Sequence, residues 1–408
     1  MPSFEPHVQA ARAQLALVRP QDYAQTRNAL DGAVTRLSPY ITHGLLSLRE
    51  VYDDVHARFG LDARHKLVFE LGWRAYYRHV WSHLGEGIHQ SIHAGVLPDE
   101  AYRADMPLDV VQARTGVAAI DLAVSELYAS GYLHNHARMW LASYLVHLRK
   151  VHWRVGAQWM LAHLLDGDVA SNHLSWQWVA GTGSTKPYLF NAENVAKFAP
   201  AQWRSPGTVI DTSYEALDEL ARSPRAAVDG RVQARVPSAL MQPPWMSTPP
   251  DERWSAPDAR WAAGRDVVLL HPWSLGAAPH VTHAEAANPQ VLLIGAGFEE
   301  SHAPMAWSER RWRFVTEGML LRTPNLWWGS AQKIAQALQG ARSVSWLPEP
   351  HVDQALQQVR AHLQAKQPQP TGQASPTLHT LSEPVLFEPV ETYCSSFAKW
   401  WRLSRIAA

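Results

Sequence analysis

Three groups of residues stand out by type and spacing. Thr35-Arg36-Leu37-Ser38-Pro39-Tyr40, followed by Thr42-His43-Gly44, sets hydroxyls around an arginine. Pro39 can open a helix, so side chains and free backbone donors there can hold phosphate, although Ser before Pro is also an ordinary helix start. His134-Asn135-His136-Ala137-Arg138 is the second group. The third is Asp166-Gly167-Asp168-Val169-Ala170-Ser171-Asn172, running into Trp176-Gln177-Trp178. Carboxylates in an apolar setting need donors, and Arg138 offers a charged fork. Asn135 and Asn172 carry both donor and acceptor atoms, which suits the edge of a heterocycle. The same set also reads as a structural ion-pair network at a helix junction. His134 and His136 point to nearly opposite helix faces with no third ligand near in sequence, so no metal site is expected. Gly295-Ala296-Gly297 lacks the full dinucleotide-loop pattern and reads as a tight turn after a strand.

The elements that must position these groups change character along the chain. The first 200 residues read as helical. Thr115 can cap a helix carrying Val117, Ile120, Val124 and Leu127, and apolar runs from Met139 to Leu148 and Trp153 to Leu165 follow. Apolar residues nearly encircle some of these segments, as in helices buried in an all-α domain. Prolines and hydroxyl residues between Pro237 and Pro257 mark a linker. Strands at Val267–Leu270, Val291–Ile294 and Val344–Trp346 then alternate with helices at Trp307–Leu321, Gly329–Leu338 and Val352–Leu363. A polar, Pro-containing gap spans Lys366 to Pro376. That alternation predicts an α/β domain with a largely parallel sheet. The expected boundaries are a helical domain over 1–225, a Pro-rich linker over 226–264 and an α/β domain over 265–408.

Composition narrows the chemistry. Of 37 basic and 37 acidic residues in 408, the first 200 hold 18 of each, so nucleic-acid binding would need a local patch. A single cysteine, Cys394, excludes an intramolecular disulfide, a multi-cysteine zinc site and a cysteine-ligated iron–sulfur cluster. With neither a long apolar span nor a signal pattern, no membrane is expected and the cytoplasm is the default. Nineteen tryptophans are enough to fill cores, house a flat cofactor or move electrons.

Thr35 to Tyr40, Glu70 with Trp73-Arg74, Thr115-Gly116, Gly131 to Asn135 with Arg138-Met139, and Asp166 to Trp178 resemble, in order and spacing, the flavin domain of the DNA photolyase and cryptochrome family. The resemblance covers about the first 200 residues. It implies an all-helical FAD-binding domain with the flavin at the floor of a cavity that opens to DNA. By position it implies Tyr23, Thr35, Arg36 and Ser38 as binders of the FAD phosphates and ribityl region. Asn135 and Arg138 would sit beside the flavin, with Asp166 and Asp168 near its adenosine side and pyrimidine edge. Asn172 would face flavin N5. Glu70, Trp73 and Met139 would face a flipped-out pyrimidine dimer. Trp176 and Trp153 match the first two members of an electron-transfer chain; the third position is Glu100, with Trp81 or Trp159 as substitutes. Leu67 and Val34 also depart from the family pattern. Arg74, Arg78 and Lys186 are candidates for a DNA-binding rim, although solvated surface residues are the simpler reading.

The C-terminal region resembles the family's Rossmann-like α/β antenna domain through Val267 to Pro272, Ser308 to Phe314, Leu386 to Pro389 and Phe397 to Arg402. Since that domain usually comes first, a permuted domain order is expected. Pro272-Trp273-Ser274-Leu275-Gly276 replaces the usual opening turn, which leaves a second, antenna chromophore open. The expected function is light-driven repair of cyclobutane pyrimidine dimers in damaged DNA by photoexcited reduced FAD. The alternatives are a cryptochrome-like photoreceptor or FAD-dependent regulator that signals to a protein partner, and a nucleic-acid-binding scaffold without chemistry.

Overall fold

The computed structural model describes residues 4–227, 240–276, 291–365 and 375–407. Residues 228–239 of the expected linker and 366–374 of the expected gap lie outside them. The helices that matter here are α1 (Pro20–Thr26), α2 (Ser38–Thr42), α3 (Lys66–Leu84), α4 (Ala118–Ser130), α5 (Asn135–Ser143), α6 (Trp153–His163) and α7 (Val169–Ala180). In the second half come α8 (Glu309–Leu320), α9 (Ala331–Leu338), α10 (Asp353–Gln364) and α11 (Phe397–Leu403).

Local chemistry sets the ends of these helices. α7 starts where the Asp168 side chain accepts Ser171 N–H, and it stops at Gly181, whose φ of 79° few other residues adopt. Thr115 does not cap α4: its N–H and hydroxyl both donate to Asp121 Oδ1 at 2.8 Å, and Val117 occupies the cap without a side-chain bond. The run expected to continue to Leu148 leaves α-geometry at Ser143 and passes through a π turn, Tyr144–Leu148. Just beyond it Arg149 forms a buried bidentate pair with Asp109, at 2.7 and 2.8 Å.

The strands are β1 (Trp245–Met246), β2 (Trp254–Ser255), β3 (Asp266–Leu270), β4 (Val291–Phe298), β5 (Trp307–Ser308), β6 (Leu326–Gly329), β7 (Ser343–Trp346) and β8 (Thr377–Thr380). A parallel sheet runs β2-β6-β4-β3-β7-β8, and β1 pairs antiparallel with β5. This is the doubly wound order expected of a Rossmann-like layer, with the reversal between β3 and β7.

Two sequence expectations need correction. The later part of the linker is built into the fold, since β1 and β2 pair with β5 and β6. Its tryptophans outweigh its prolines, Trp254 being buried with its indole N–H on Thr316 Oγ1 at 2.9 Å. Gly295-Ala296-Gly297 is no turn. It continues β4, where a Cβ on Gly297 would lie 2.7 Å from the Trp328 ring, so the glycine makes room for an indole.

One buried core lies wholly in the helical half, around Trp140, Tyr144, Trp159 and Trp176. Full burial of each such large apolar side chain stabilises by about 1.5–3 kcal/mol. The other core runs from Leu67, Val68 and Leu71 of α3 through Trp273 and Leu275 to Val267, Ile294, Phe397 and Trp400. The halves are therefore welded by a continuous apolar interior. Among the described residues no helix is long and apolar enough to cross a membrane, and no cluster of His, Cys, Asp or Glu could hold a metal.

Candidate functional site

The turn between α6 and α7 carries Asp166 and Asp168, both buried. Asp166 Oδ2 accepts Arg138 Nη2–H at 2.7 Å, while Arg138 Nε donates to Leu133 O at 2.7 Å, which fixes the guanidinium plane. The Asp166 backbone carbonyl accepts the Thr42 hydroxyl at 3.2 Å, and that hydroxyl accepts Arg74 Nη2–H at 2.9 Å. Asp168 Oδ2 lies 2.5 Å from Arg78 Nη2 and 3.7 Å from Arg74 Nη2. Burial alone would raise the Asp168 carboxyl, but Arg78 and Arg74 outweigh it and hold the group well below the usual carboxylate range.

At the start of α5, His134 accepts His136 N–H and so carries its proton on Nε2. Burial lowers the ring's pKa to about 4, so it stays neutral. Asn135 Nδ2 donates to Met139 Sδ at 3.4 Å, and on α7 Asn172 Nδ2 donates to Ala157 O at 2.9 Å.

Arg74, Asn135, Arg138, Met139, Asp166, Asp168, Asn172 and Trp176 together wall one cavity of about 200 Å³. Tyr77, Met160, Ser171 and Ser175 also line it and were not anticipated, and Ala142, Leu164 and Val179 complete the wall. Ser171 and Ser175 could have been found from the α7 periodicity, one helical turn apart and flanking Asn172. Three buried atoms of these wall residues have no hydrogen-bond partner among the described residues, Asp166 Oδ1, Ser171 Oγ and Asp168 Oδ2, and only the last is answered by an ion pair, to Arg78. Buried polar atoms rarely stay unpaired without reason, so the first two call for a ligand.

Other anticipated residues lie away from the wall. Tyr23 is half-buried on α1, where burial and then Glu70 raise its phenol above the usual range. Thr35, Arg36 and Ser38 lead into α2, with Arg36 at φ 54° and the Thr35 carbonyl accepting Gln14 Nε2–H at 2.9 Å. Glu70 pairs with Lys66 at 2.9 Å and lies 3.5 Å from Arg27 Nε. Trp73 is stacked face to face on Phe397 of α11, centroids 4.0 Å apart and planes 9° apart. Trp153 is buried, its indole N–H on Ser91 Oγ at 3.0 Å. Lys186 is exposed. Arg74 and Arg78, expected on a DNA-facing rim, are drawn inward instead, Arg78 joining Asp168 to Glu349 Oε1 at 2.5 Å. Two carboxylates, the buried Asp168 and the half-buried Glu349, hold that guanidinium in place of solvent. Of the substitutes for the third tryptophan, Trp81 meets His351 edge-on at 4.9 Å and Trp159 meets Tyr128 at 6.1 Å.

Residues 67–221 match the family described as the FAD binding domain of DNA photolyase. A deoxyribodipyrimidine photo-lyase from Streptomyces griseus is 36% identical over 172 residues, covering 41% of this chain and 36% of that protein. A cryptochrome DASH from Gloeobacter violaceus is 32% identical over 172 residues, 40% of this chain and 34% of that protein. The chain thus matches about a third of the length of these relatives. Among solved structures, a Synechocystis cryptochrome is similar over 48% of this chain and 44% of that one, with 29% identity and a TM-score of 0.44. FAD is the cofactor that the family match assigns, and the groups on the cavity wall suit its ring. The wall offers amides at Asn135 and Asn172 and a guanidinium at Arg138. The unpartnered Asp166 Oδ1 and Ser171 Oγ add acceptors, a donor set suited to a ring edge bearing both donors and acceptors.

Proposed function

The helical domain of this chain belongs to the DNA photolyase and cryptochrome family, and from that premise we propose that the protein cleaves cyclobutane pyrimidine dimers in DNA by light-driven electron transfer. The observation that carries this reading is the convergence of Asn135, Arg138, Met139, Asp166 and Asn172 on one cavity beside Trp176. Bound there, FAD supplies a light-excitable one-electron donor. The chain's own residues orient the ring: Arg138 is locked to Asp166, Asn172 is anchored on Ala157 O, and Met139 supplies an apolar, polarisable wall. Trp176 and Trp153 are the residues proposed to pass electrons inward.

Trp73 supports a stacking role, because its face already holds a flat ring, that of Phe397. For repair, a damaged base must take the place of Phe397, and Glu70 must leave Lys66 to aim at the developing negative charge. The same contact favours a second reading, a photoreceptor in which α11 stays on Trp73 and serves as the output element. We read the order of domains, helical before α/β, as a rearrangement of the family's order.

The test uses purified protein loaded with FAD and chemically reduced, given an oligonucleotide carrying a cyclobutane dimer in blue light and in darkness. Repair in the light alone is expected. Bound, reduced FAD without repair would overturn the enzyme reading and leave the photoreceptor.

A further inference from the structure

Two arms of the α/β domain end on the turn that carries Asp166 and Asp168. The first is Arg311, near the start of α8 and fully buried. Its Nη2 donates to Gly167 O at 2.6 Å and its Nη1 to Leu161 O, a last-turn carbonyl of α6, at 3.1 Å. The guanidinium lies over the Trp307 ring, 4.1 Å from the centroid. A Cβ on Gly167 would come within 2.3 Å of Arg311 Nη1, so residue 167 has no room for a side chain.

The second arm is His351, just before α10. Its Nε2 accepts Val169 N–H, in the first turn of α7, at 3.1 Å, which leaves the ring proton on Nδ1 to donate to Glu349 Oε1 at 2.5 Å. Glu349 in turn holds Arg78, whose other contact is Asp168. Trp273 stacks on the His351 ring at 4.5 Å, planes 9° apart.

Sequestering a guanidinium on carbonyls alone is costly. Burial pulls Arg311 down to about 9, with Asp166 and Asp168 pulling the other way. What it achieves is local. Arg311 satisfies carbonyls at the end of α6 and in the turn, and His351 satisfies an N–H at the start of α7, so the loose backbone groups on both sides of the turn are tied from outside the helical domain. Groups that hold a binding side chain need such support, because small misplacements weaken a site steeply.

We propose that Arg311 and the Glu349–His351 pair are positioning residues for the cofactor cavity, so that the α/β domain fixes the Asp166–Asp168 turn and FAD binding requires both domains. This rests on the reading of the cavity as the FAD site.

The test titrates apo-protein with FAD, followed by flavin fluorescence, for the wild type and for Arg311→Gln, Arg311→Lys, His351→Phe, Arg138→Ala and the exposed control Arg313→Gln. Arg311→Gln is expected to weaken FAD binding about tenfold or more, as loss of charge-assisted hydrogen bonds does. Arg311→Lys, which keeps the charge and can reach one carbonyl, should recover part of it. His351→Phe keeps a ring against Trp273 but loses the acceptor, and should also weaken binding. In the apo-protein, amide exchange at residues 167–172 should speed up in both loss variants and not in Arg313→Gln. If Arg311→Gln and His351→Phe melt earlier yet, while folded, bind FAD as tightly as the wild type, the positioning role is overturned. If Arg311→Gln does not fold, the Lys and Phe variants decide by the same criterion. Weakening by Arg138→Ala but by neither arm would leave the cofactor reading standing and remove this one. A wild type that binds no FAD would remove both.

Discussion

Two concave regions of this molecule use the same kinds of side chain and treat them in opposite ways. In the helical domain, Asp166 and Ser171 line a cavity of about 200 Å³, and Asp166 Oδ1 and Ser171 Oγ are buried without hydrogen-bond partners among the described residues. At the carboxyl ends of β3 and β7, the place where a doubly wound sheet usually receives a ligand, the crevice is filled by protein. Trp273 is 2% exposed and stacked on His351, and His271 Nε2 reaches Leu347 O at 2.9 Å. The space left beside Leu270, Ser274 and Leu347 is about 10 Å³. Residue type is thus a poor guide to a site. Both regions bury unpartnered polar atoms, the Trp273 indole N–H among them, so free volume beside hydrogen-bonding groups is the better guide, and here only the helical domain's cavity has it.

The comparison can be broken in several ways, and the largest expected effect falls on both regions. Burial keeps His134, His147 and His163 neutral down to about pH 4, and His173 and His302 down to about pH 3. The unfolded chain, whose histidines titrate near 6.5, takes up protons that the folded chain refuses. Stability is therefore full above that pH and falls as pH drops toward 4, by up to about 1.4 kcal/mol per pH unit for each histidine. Denaturation midpoints measured from pH 7 to pH 4.5 would show this; a flat profile would contradict the buried-neutral assignment. Next, Asp168→Ala should cost about 3–5 kcal/mol in chemical denaturation, because it strands Arg78 and Arg74 without their shared carboxylate. Trp273→Ala should cost about 3–5 kcal/mol by opening the filled crevice, whereas Met139→Ala, beside existing space, should cost below about 2 kcal/mol. Equal losses would erase the contrast between the two regions. Smallest is Lys186→Ala, within about 0.5 kcal/mol of wild-type stability. If the DNA reading holds, it should lower the salt slope of DNA binding by about 1.

Much of this could be read from the residue string, for identifiable reasons. Val267–Leu270 and Val291–Ile294 were legible as strands because a buried parallel sheet demands unbroken apolar runs. β2 and β6 were not: Trp254-Ser255 is two residues among prolines, and Leu326-Trp-Trp-Gly329 adjoins a stronger helical pattern. The Arg138–Asp166 pair was legible because their neighbours set a helix start and a turn. Arg78 was misplaced because a basic residue on a helix looks the same whether its partner is solvent or a carboxylate 271 residues away. Arg311 and His351 gave no local signal at all, as their partners lie 150 and 182 positions off. Separation of that size leaves no periodicity to detect.

The helix α11 has a consequence in time as well as in space. His79 on α3 accepts the N–H of Cys394, 315 residues later, and Phe397 and Trp401 pack around Phe69 of the same helix. A ribosome therefore releases the apolar flank of α3 long before it makes the segment that covers it. Contacts so remote in sequence slow folding and prolong the exposure of that apolar surface.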